Sequence, residues 1–100
     1  MVDKVAHLQW RRQEVVEAMA ELFIEISEAR SQRRELLYTE KASWGAVAGM
    51  EAGLGGQVAR MRAQVVTERI LEVEASITRL VGDWGKLNRE RAWLKGLEFK

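Results

Sequence analysis

From Ala59 to Leu94, alternating steps of four and three residues land on Ala59, Ala63, Val66, Ile70, Val73, Ile77, Leu80, Trp84, Leu87, Arg91 and Leu94. All but Arg91 are apolar. A repeat of about 3.5 residues is the seam of a helix packed lengthwise on another helix. The seam therefore commits more than a third of a 100-residue chain to one long helix and demands a partner helix beside it.

The amino-terminal half supplies that partner. Asp3 is a fitting helix cap, and Val5, Leu8, Val15, Met19, Leu22, Ile26, Ala29 and Leu36 follow at spacings that keep one face apolar. Val16, Phe23 and Leu37 widen the stripe into a second seam, and a helix this broad on its apolar side touches more than one neighbour. Glu14, Glu17, Glu21, Glu25 and Glu28 form an acidic stripe elsewhere on the helix, read as a solvated face, with Arg30, Arg33 and Arg34 downstream.

No proline interrupts the chain, so glycine has to mark the turn. Ala52-Gly53-Leu54-Gly55-Gly56 is the strongest breaker. The spacing predicts helix one over about 3–52, a turn over about 53–56 and helix two over about 57–98. Gly45, Gly49 and Gly53 recur every four residues and would give a smooth strip for a close-packed helix, with a kink allowed at Trp44-Gly45. The expected fold is all-α: one domain, a long antiparallel coiled-coil-like hairpin.

A turn near residue 54 places residues whose numbers add to about 108 at one level, by the geometry of two helices of equal rise. Trp84 then falls beside Phe23 and Ile24. Trp10 falls near Leu97 and Phe99, with Trp93 one turn away, and these four make a candidate protein-contact patch. Arg12 and Arg91 interrupt their seams at neighbouring levels and make a candidate buried polar layer, with Glu14, Glu17 and Glu90 expected to neutralise it.

A lone hairpin covers one stripe per helix, yet 47% of the chain is hydrophobic. The remaining apolar strip would exceed the few hundred Å² that monomers usually expose. A homodimer forming a four-helix bundle removes it, and helices from another protein would serve equally.

The chemistry-bearing residues are few. Cysteine is absent, and His7 is the only histidine, so neither disulfides, thiolate chemistry nor a histidine-based metal site is expected. No metal or other cofactor is expected, and no small-molecule substrate. Sixteen basic against fifteen acidic residues give a net charge of +1, so no global field points to nucleic acid. Arg30, Arg33, Arg34, Arg60, Arg62 and Arg79 are interleaved with glutamates and fit a mixed-charge coiled-coil surface better than a phosphate-binding one. The longest uncharged run, Ala42 to Met50, is far short of the ~20 residues that span a bilayer. With no signal peptide visible, a soluble cytoplasmic protein is expected, with signal-less export as the other route.

Two resemblances bear on function. Arg30-Ser31-Gln32-Arg33-Arg34-Glu35-Leu36 with Lys41 is similar to the arginine and lysine helix of the small helical chorismate mutases. That resemblance implies a dicarboxylate clamped inside a helical dimer. The Arg-Glu pair of that family after the first loop is replaced here by glycines, and only Glu90 could supply its late Gln or Glu. In length and shape the chain also resembles the small secreted WXG-type hairpins. Ser43-Trp44-Gly45 lacks their Trp-x-Gly spacing, however, and Tyr38, the only tyrosine, is not in a carboxyl-terminal export signal. The expectation is a non-enzymatic helical interaction module: an adaptor, an assembly or secretion chaperone, or a small phage-type inhibitor. Its alternatives are a chorismate-mutase-type enzyme and a nucleic-acid-binding helical dimer.

Overall fold

In a computed structural model, which describes residues 2–49 and 53–98, the chain is an all-α hairpin of two long helices. Helix α1 spans Val2–Ala48 and α2 spans Leu54–Glu98. No described residue lies in a strand, and no helix is long and apolar enough to cross a membrane.

The break between the helices comes earlier than the glycine cluster suggests. Helix α1 ends at Ala48 instead of near 52, and α2 begins at Leu54 instead of near 57. The last turn of α1 is extended by Gly49 N–H donating to the Gly45 carbonyl at 3.2 Å. Gly53, just before α2, has φ +154°, a region that residues with a Cβ rarely adopt. Its carbonyl then accepts from Gln57 N–H at 3.1 Å, opening α2. Gly55 and Gly56 fall in the first turn of α2, where N–H groups lack intrahelical partners in any case, so two glycines there do not delay the start. Helix α1 passes through Trp44-Gly45 without interruption.

The glycine strip serves no close approach within the chain. A Cβ placed on Gly45 or Gly53 would meet nothing within 4 Å, and one on Gly49 would meet only backbone carbonyl oxygens at 3.7 Å.

The hairpin divides into two compact units, residues 1–27 with 78–100, and residues 28–77. In the first, Val15, Met19 and Leu94 form a buried cluster against which Leu8, Trp84, Leu87 and Leu97 pack. Trp84 thus turns inward, while Phe23 and Ile24, its expected neighbours, stay exposed. In the second unit Ala63, Ile70, Val73 and Ile77 of α2 are buried, with Ala29, Leu36 and Val47 of α1 half-buried. Every apolar position of the α2 seam, from Ala59 to Leu94, is buried or half-buried; Arg91 alone is exposed. Small side chains dominate the seam towards the turn (Ala59, Ala63), and larger ones follow.

The expected level rule holds closely in the second unit. Arg33 faces Glu74 at 3.8 Å and Glu40 faces Thr67 at 2.8 Å, each pair within one residue of the predicted register. Thr67 Oγ1 accepts from Trp44 Nε1 at 3.2 Å and gives its one proton either to Glu40 Oε2 or to the Ala63 carbonyl, 3.1 Å away.

Candidate protein-interaction surface

One flank of the first unit is closed by charge. Arg11 grips Glu90 with both arms of its guanidinium, Nε donating to Oε1 at 2.6 Å and Nη2 to Oε2 at 2.8 Å. A third contact joins Arg11 Nη1 to Glu14 at 3.1 Å. The hydrogen bonds from Arg11 outweigh partial desolvation and hold the Glu90 carboxyl below its usual range; the same bonds raise Arg11. Of the acids expected to neutralise Arg12 and Arg91, namely Glu14, Glu17 and Glu90, two contact the neighbouring Arg11. Residues 11 and 90 sit beside the seam, where charged side chains cross between coiled-coil helices. Arg12 and Arg91 sit in the seam, one residue further round each helix. At such a position the long side chain of Arg91 carries its charge outward to water. Within the chain Arg12 is half-buried and Arg91 exposed, and no described charged residue is buried.

The other flank stays open. Gln9, Arg12, Gln13 and Val16 of α1 and Arg91 and Lys95 of α2 line a groove that holds three cations, two carboxamides and no carboxylate. Arg12 is already engaged within the chain. The charge left to the groove is that of Arg91 and Lys95. Along α1 the same face continues at alternating three and four through Ala20 to Phe23, so the groove is the charged end of an apolar strip.

That strip is the second seam, and the hairpin does not cover it. Val16 is 48% exposed and Phe23 63%; in the second unit Leu37 and Trp44 are 40% and 38% exposed. All four share a heptad position on α1. Val58, Met61 and Val65 add an exposed apolar step on α2 in the second unit.

The described residues of the candidate contact patch are placed differently from one another. Leu97 packs into the Val15–Met19–Leu94 cluster, whereas Trp10 and Trp93 are 61% and 63% exposed. The ring partner of Trp10 is His7, at 6.0 Å and tilted by 32°. Phe99 lies outside the described residues. Residue numbers alone missed the Trp44–Thr67–Glu40 link, although the level rule pairs Glu40 with Thr67 once both are treated as polar seam residues. Among the described residues, no three His, Asp or Glu side chains gather where a metal could sit. No family model, curated protein or solved structure matches the chain.

Proposed function

We propose that this chain is a non-enzymatic protein-interaction module that lends its uncovered helical seam to further helices, completing a bundle. The observation that carries the reading is the exposed heptad row of Val16, Phe23, Leu37 and Trp44, lying beside a seam that the hairpin has already filled. Covering exposed apolar side chains is favoured by about 25 cal/mol for each Å² removed from water, whether the pair Val16 and Phe23 of the first unit or the pair Leu37 and Trp44 of the second. Rows of this kind mark association surfaces more often than single exposed residues do. Pairing with another copy to form a four-helix bundle is the simplest way to cover them, and helices of another protein do so equally well. Adaptor, assembly chaperone and inhibitor all use such a surface.

Light scattering over a concentration series, with Val16→Glu and Phe23→Glu introduced together, tests the reading. Wild type is expected to associate with itself or with a co-expressed helical partner, and the variant to lose that association while keeping its helicity. A wild type that stays monomeric and is matched by the variant in every association assay would overturn it.

A further inference from the structure

The proposed interaction module leaves open how a second copy would sit, and the charges of the first unit answer that. A two-fold contact sets the same surface against itself. Made through the open flank, it would bring Arg91 and Lys95 of each copy into one interface with no carboxylate in the groove lining to receive them. Like charges gathered at one interface repel, so a two-fold contact gains nothing from these cations, whereas a contact with an acidic face does.

The complementary surface is on the chain itself. Trp10, Glu14, Glu17, Glu21 and Ile24 step at alternating four and three along a different face of α1, and all five are exposed. Three carboxylates lie between two large apolar side chains, Trp10 at 61% and Ile24 at 55% exposure. Glu14 and Glu17 are held in place by Arg11 and by Gln13, whose Nε2 donates to Glu17 at 2.9 Å. The groove offers the opposite pattern: cations on α2 and exposed apolar Val16 and Phe23 on α1.

We propose that copies of this chain associate head to tail, the Trp10–Glu14–Glu17–Glu21–Ile24 face of one seated in the Arg91–Lys95 groove of the next. The inference rests on the reading of the chain as an interaction module and specifies the form of its self-association. Donor and acceptor surfaces differ, so the contact is heterologous: it leaves one free face of each kind at the ends of a chain of copies, unless the copies close into a ring. Opposite charge fixes the register of the docked helix, and the apolar residues supply the area.

Two variants test it by complementation. Glu17→Lys with Glu21→Lys removes the donor face, and Arg91→Gln with Lys95→Gln removes the charge of the groove without creating a partner for the lysines. Circular dichroism checks that each keeps its helicity. In sedimentation velocity at low salt, wild type is expected to form species larger than a dimer. Raising the salt should weaken the association about tenfold or more, because the contacts are at the rim and screened. Each variant alone should be monomeric. The decisive mixture is the two together: the donor-face variant keeps its groove and the groove variant keeps its donor face, so a one-to-one heterodimer that grows no further is expected. A wild-type dimer that ignores salt and survives both sets of substitutions overturns head-to-tail docking while leaving the interaction module standing. A monomeric wild type, or a mixture of variants that does not pair, overturns the inference as well.

Discussion

At Gly53 the backbone, at φ +154°, adopts a conformation that a Cβ makes costly. Gly53→Ala is therefore expected to destabilise the hairpin by about 1–3 kcal/mol in chemical denaturation. Gly82 is the opposite case. It sits inside α2 with nothing within 4 Å of a would-be Cβ, so Gly82→Ala should stabilise by about 1 kcal/mol. The same assay reads both, and equal signs would show that the turn is not where the strain lies. The Arg11–Glu90 pair gives a pH signature. The folded-state pKa of Glu90 is lowered, so the unfolded chain binds more protons as pH falls. The pair's contribution is complete above the ordinary carboxylate range and is lost as pH drops through the lowered value. The raised pKa of Arg11 adds a contribution that only strong alkali removes. Melting wild type and Glu90→Gln side by side should show a gap at neutral pH that closes on acidification. The gap is modest, since both side chains are about a third exposed.

Helix α2 was almost fully legible, because a seam at 3.5-residue spacing has one way to be satisfied. Ile70 and Val73 lie where that spacing put them, each 5% exposed. What the spacing could not decide is which of two adjacent residues crosses between helices and which stays in the groove. Arg11 and Arg12 differ by one step around α1, and that step sends one to Glu90 and the other to the open flank. Within the glycine cluster, sequence could not separate Gly53, which carries the positive backbone angle, from Gly55, which α2 absorbs into its first turn. The two seams of α1 also predict different mutational costs. Ile26→Ala in the filled seam, where the side chain is 7% exposed, should cost about 2–5 kcal/mol. Phe23→Ala in the uncovered seam should change the stability of the isolated chain by less than about 0.5 kcal/mol, a surface-like effect. A large loss for Phe23→Ala at concentrations where the chain self-associates, absent on dilution, would locate the partner's contact on that row.

For the molecule as a whole, the arrangement of charge matters more than its total. Sixteen basic and fifteen acidic residues nearly cancel, yet the first unit sorts them into an acidic face on α1 and a cationic groove shared with α2. Near-neutrality of this sorted kind favours contact between unlike faces over repulsion between copies. The bidentate pair at the same end has its own consequence, which concerns time. Arg11 and Glu90 are 79 residues apart in sequence, whereas Glu40 and Thr67 are 27 apart. Meeting the distant pair first costs about 1 kcal/mol more in loop closure than meeting the nearer one. Loop entropy therefore favours closing like a zipper from the middle of the sequence outwards, with Arg11–Glu90 a late tooth. The groove of Arg91 and Lys95 sits beside that tooth, so a neighbour seated there would hold the zipper shut.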